Sequence, residues 1–188
     1  MASRNRPSLL SLIPNLINAL VPIGGVIFLA IGFSGLLVVG FGSVFGKDFI
    51  SGDGAGVVYT SERCADYFRF HPEAKDCYSA ATAHHYDEVV DIRGGIGAVG
   101  SMVLIAYYGL RRRFKWASDT RVIPRGFSST VAASLFGAAA FLLLGIFGMQ
   151  AGFGNTNGVG VLLASGLVSV VAFLAYATQL SRDLLRAG

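Results

Sequence analysis

The residues best equipped for chemistry crowd into one polar stretch between positions 47 and 91. Cys64 and Cys77, the chain's two cysteines, flank His71-Pro72, with twelve residues between them. A disulfide there staples two helices, and closing a loop of about 15 residues stabilises by roughly 3 kcal/mol in the chain-entropy model. The rival chemistry is thiol redox relayed to a quinone, which uses two cysteine pairs, one of them a close Cys-x-x-Cys near the membrane surface. One widely spaced pair does not supply that, so Cys64–Cys77 is expected to be a structural disulfide in an oxidising compartment.

The densest set of metal-ligand types follows at once. His84, Glu88 and Asp91 fall at i, i+4 and i+7, on one face of a helix, and are candidate metal ligands, with His71 able to join across the bend. Against this, His84 and His85 project about 100° apart on a helix, and a solvated or partner-facing acidic helix explains the same residues. No cofactor is implied. No histidine falls within a span where it could ligate haem, and Gly94-Gly95-Ile96-Gly97 precedes an apolar helix instead of following a strand, so it is not a nucleotide-binding loop. No catalytic motif occurs, and nothing in these residues makes the chain an enzyme.

The elements that must carry these groups are set by composition. With 53% hydrophobic and only 14% charged residues and a mean hydropathy of +0.60, the chain belongs in lipid. Its formal charge of +4 does not imply nucleic acid, because the basic residues alternate with apolar runs and form no single face. The expected fold is an all-α membrane protein, with four transmembrane helices in an antiparallel bundle and a disulfide-stapled helical extracytoplasmic hairpin between the first two spans.

The apolar run from 9 to 46 exceeds the roughly 20 residues that cross a bilayer. Pro14 and Pro22 divide it, and the pattern before Pro22 is amphipathic, so residues 8–20 are read as an interfacial helix and 21–45 as span 1. The extracytoplasmic segment is 46–88, opening with a loop over 51–56. It continues with one helix from Ser61 to about His71 and a second opened by Pro72, with Glu73 and Asp76 in its first turn. Span 2 is 89–110, a basic connector covers 111–128, span 3 is 129–153 and span 4 is 159–180, the last two joined by a tight turn that forces a hairpin. A cleaved signal peptide is disfavoured by the length of the first apolar run.

Orientation follows from the bases. Arg4 and Arg6 precede span 1, six bases stand against one acid in the connector, and Arg182 and Arg186 follow span 4. All three segments belong in the cytoplasm with both termini, and the segment holding nine of the eleven acids faces outward. Arg4, Arg6, Arg111, Arg112, Arg113 and Lys115 are expected to contact lipid headgroups. The lean towards Gly, Ala, Val and Arg over Lys points to a bacterial inner membrane, a plasma membrane.

Small residues at Gly94 and Gly97, at Gly148 and Gly152, and at Gly160 and Ala164 suit close helix packing. No acid or base falls at the centre of any span, which disfavours a proton-coupled pump. Asp91 and Arg93 come nearest, at the outer mouth of span 2, where they pair or where Arg93 meets a headgroup. The leading functional expectation is a non-catalytic accessory or scaffold subunit, binding other membrane subunits or itself through the glycine faces and the acidic hairpin. A small homo-oligomeric channel or transporter and a membrane enzyme with an outer-mouth metal site are the alternatives.

Overall fold

The computed structural model describes residues 9–52, 61–114, 127–154 and 158–185, with backbone alone for residues 9–15, 61 and 114. Among them all regular structure is helical: α1 (Leu9–Phe45), α2 (Asp48–Ser51), α3 (Ser61–Phe70), α4 (Cys77–Phe114), α5 (Phe127–Gly152) and α6 (Gly160–Leu185). Four of these, α1, α4, α5 and α6, are long and apolar enough to cross a membrane, with mean hydropathies of 1.6 to 2.3.

Of residues 8–20, expected as a separate interfacial helix, those described, 9–20, instead run into the first span as one helix of 37 residues. Pro22 has no N–H, so the carbonyl of Asn18 loses its partner four residues on. The structure satisfies that carbonyl from outside the helix. Tyr107 Oη of α4 donates to Asn18 O at 3.0 Å, and the Tyr107 ring is buried at the contact. A neighbouring helix can in this way replace the bond that a proline deletes.

Packing begins with α1 against α4, and the contact is made by backbone. A Cβ on Gly97 would lie 2.6 Å from the Gly32 Cα, and one on Gly100 would lie 2.6 Å from the Phe28 Cβ and 2.9 Å from the Gly25 carbonyl oxygen. Towards the ends of α1, Gly25 faces Leu104 and Gly42 faces Tyr86. Such approach is open only to glycine, and it gives apolar helices the van der Waals contact that substitutes for a hydrophobic drive. Helix α6 packs on the other side of α1, and α5 packs along α6 and touches α1. Helices α4 and α5 stand apart, so the four long helices form an open row and not a closed ring.

One end of the row is tied together by α2. Ser51 Oγ donates to Thr82 O at 3.0 Å, and Gly158 N donates to Asp48 O at 3.1 Å, which fixes α2 to α4 and to the start of α6. Beneath it Val38, Ile50 and Ala164 form a buried cluster, with Phe41, Phe49 and Val161 packed around them. The turn before α6 places Gly154 and Gly158 at φ of 78° and 74°, a conformation in which a side chain would be strained.

Candidate functional site

Two places bring polar groups together: the α3–α4 hairpin and the face of α4 three turns further along. In the hairpin, Cys64 and Cys77 form a disulfide with a Cα–Cα distance of 5.4 Å. Helix α3 ends at Phe70 as the sequence suggests, but α4 does not start at Pro72. Residues 72–76 form a turn, and Asp76 caps a helix that opens at Cys77. Asp76 Oδ1 accepts from Ser79 N at 2.7 Å, while Ser79 Oγ accepts from Asp76 N at 3.2 Å, a reciprocal pair that satisfies two otherwise free donors. Aspartate wins over proline because it supplies an acceptor where the helix has orphan N–H groups. The Ser79 backbone N–H, and then its hydroxyl, hold the Asp76 carboxyl below its ordinary pKa. Glu73 is likewise lowered, first by its own backbone N–H and further by His71.

The histidines are engaged within the hairpin. His71 is buried, its Nδ1 3.4 Å from Glu73 Oε1 and its Nε2 3.6 Å from Asp87 Oδ2. The His84 ring lies 5.4 Å from the rings of both Tyr67 and Phe70, stacked on the latter, and 6.0 Å from that of His71. His85 pairs with Glu88 at 3.5 Å, and Asp91 is exposed on α4. His84, Glu88 and Asp91 therefore do not converge, because His84 turns into the aromatic contact with α3 while Glu88 turns to His85. Among the described residues no three His, Cys, Asp or Glu side chains are grouped to hold a metal ion.

Arg93 departs furthest from expectation. It neither pairs with Asp91 nor reaches outward. Its side chain is half-buried and passes between helices, where Nη1 donates to Ser34 Oγ of α1 and, at 3.0 Å, to Ser165 Oγ of α6. Ser165 lies five residues inside α6, which places the guanidinium about 7.5 Å below the start of that helix. Both Nη1 hydrogens are then used, and the Nε and Nη2 hydrogens have no partner among the described residues. Ser34 is 1% exposed and donates its own hydrogen to Ile31 O at 2.7 Å, so its oxygen is free to accept from the guanidinium.

The same two serines line a cavity of about 310 Å³ between α1, α5 and α6. Its walls are otherwise apolar, with Ile27, Leu135, Phe136 and Leu143 among them, and Ser169 adds one more hydroxyl. A second trough of about 650 Å³ runs between α1 and α6 and is lined wholly by apolar residues such as Phe33, Leu37 and Val171.

Of the residues expected to pack helices, Gly97 lies in the backbone contact with Gly32, Gly160 lies against Phe49 and Ile50, and Ala164 is fully buried. Gly94, Gly148 and Gly152 have nothing within 4 Å of a Cβ built on them. The α1 half of the seam, Gly25 and Gly32, was not singled out from the sequence, although their spacing of seven residues puts them on one face. Arg111, Arg112 and Arg113 are exposed in the last turn of α4, where positive charge also suits the helix end. Arg4, Arg6 and Lys115 lie outside the described residues. No protein-family model matches the chain, and neither does any curated protein or solved structure.

Proposed function

We propose that the chain is a non-catalytic integral membrane protein, an accessory or scaffold subunit that holds other membrane polypeptides. In this reading its four long helices cross a bacterial inner membrane in antiparallel order, with the α3–α4 hairpin outside and both termini in the cytoplasm. Helix α4 supports such a layout by its length. Its 38 residues extend about 57 Å, so it can cross roughly 30 Å of hydrocarbon and still rise above it as a stalk. The large apolar side chains exposed around the row, Leu36, Phe141 and Val171 among them, suit lipid or a protein neighbour, not water.

The observation that carries the scaffold reading is the open row. Helices α4 and α5 each present a side that no other described helix covers, and those sides include Gly94, Gly95, Gly148 and Gly152, where a second helix can approach closely. The acidic hairpin offers a second contact outside the membrane. Extraction of the native membrane into polymer-bounded nanodiscs tests the proposal. The chain should be recovered with other polypeptides in fixed proportion, and recovery as a lone monomer would overturn it.

A further inference from the structure

We infer that Arg93, Ser34 and Ser165 form the head-group site of a pocket for an anionic amphiphile, whose acyl chain occupies the cavity between α1, α5 and α6. From the reading above this takes only that these helices lie in hydrocarbon. Three observations converge on it.

The first is the state of the guanidinium. Its Nη1 is held by two serine oxygens, which fixes the plane of the group, and its remaining edge, Nε with Nη2, is left with parallel hydrogens. That edge matches the two oxygens of a carboxylate or a phosphate. Polar hydrogens without partners are costly in hydrocarbon, so an arginine held between these helices calls for an anion. No carboxylate among the described residues lies within ion-pair distance of it.

The second is the shape of the space beside it. A cavity of about 310 Å³, apolar apart from a few hydroxyls, has the size and character of a small-ligand pocket. The third is their alignment. Ser34 and Ser165 are the wall residues nearest the hairpin end on α1 and α6, so the cation stands at one end of the cavity. From there the cavity continues along α1 to Ile27, about 10 Å away. A charged head at one end and an apolar tail below it describe an amphiphile. A carboxylate on a partner's transmembrane helix would satisfy the charge but would leave the apolar cavity beside it unfilled.

The shared chemistry is an acyl chain bearing a carboxylate or phosphodiester. The test uses the purified full chain in a neutral maltoside detergent, with binding followed by native mass spectrometry and equilibrium dialysis. The probes are oleate, dioleoyl phosphatidylglycerol, dioleoyl phosphatidylcholine and inorganic phosphate. One equivalent of oleate, of phosphatidylglycerol, or of either should bind, and which of them does so identifies a fatty acid or an anionic lipid as the source. Phosphatidylcholine and inorganic phosphate should bind at least about tenfold more weakly. Arg93→Met should weaken the anionic probe by about tenfold or more. Ala139→Phe, which places a ring in the cavity from α5, should do the same. Should Arg93→Met fail to fold, Ala139→Phe decides alone. Equal binding of anionic and zwitterionic probes, no binding of either anion, or unchanged binding in Ala139→Phe overturns the inference. So does loss of a co-purifying polypeptide in Arg93→Met with anion binding intact.

Discussion

In the hairpin the histidines find partners within the hairpin: His71 between Glu73 and Asp87, His84 among aromatic rings, His85 beside Glu88. In the row of long helices Arg93 has two serine oxygens for one nitrogen and nothing described for the others. The region with the many reactive residue types is thus engaged with itself, and Arg93, the one charged side chain between Asp91 and Arg111, is left with bonds to make. Density of ligand-type residues along a sequence marks where polarity gathers. Function is better sought where a polar group has been carried into surroundings that cannot satisfy it.

The comparison makes the two regions separable, since the hairpin is held by a covalent bond and a polar cap and the row by backbone contact. The largest expected effect is in the row. Gly97→Leu forces α1 and α4 apart against backbone that cannot yield, at a cost of about 3 kcal/mol or more, so detergent-solubilised protein should lose most of its thermal transition. Gly94→Ala, three residues away and facing open space, should leave the transition in place. Equal behaviour of the two variants would break the comparison on the side of the row.

Next comes the hairpin. Replacing Cys64 and Cys77 together by serine removes about 3 kcal/mol of constraint, and amide exchange should quicken across α3 while α1 and α6 keep their protection. If exchange quickens equally in the row, the two regions are one cooperative unit. Tyr107→Phe is smaller, about 0.6 kcal/mol, as for other interhelical hydrogen bonds in membranes. That loss should shrink in a Pro22→Ala background, where Asn18 O regains its own helical partner, and a double-mutant cycle on thermal stability measures the difference.

The smallest effect is the Asp76 cap. Its carboxyl titrates below the ordinary value of 3.8 in the folded hairpin. Its stabilisation is therefore present above that pH and is lost as the pH falls through the lowered folded value. Protection of the amides in the first turn of α4, taken against their intrinsic exchange rate at each pH, should fall in that acid window, and Asp76→Asn should show the lowered protection already at neutral pH.

Much of the fold was legible because apolar length and glycine content are local properties. The four long helices, the disulfide and the end of α3 at Phe70 could all be read along the chain. What was missed depends on a second element. The helix through Pro22 survives because Tyr107, 85 positions later, donates to the Asn18 carbonyl in place of the missing Pro22 N–H. The direction of Arg93 is set by serines on α1 and α6, which no reading of α4 alone could supply. A usable signal was present: Arg93 is the last charge before Arg111, and Ser34 and Ser165 each interrupt an apolar run. The metal reading of His84, Glu88 and Asp91 rested on helical spacing alone, and spacing does not say that His84 will turn towards α3.

The proposed layout across the membrane underlies the scaffold reading, and a membrane-impermeant thiol reagent tests it most directly. Applied after mild reduction to sealed cells, it should label Cys64 and Cys77. In a Cys64→Ser, Cys77→Ser background carrying Lys115→Cys it should label nothing until the cells are opened. Labelling of Lys115→Cys in sealed cells, with Cys64 and Cys77 protected, would contradict the layout.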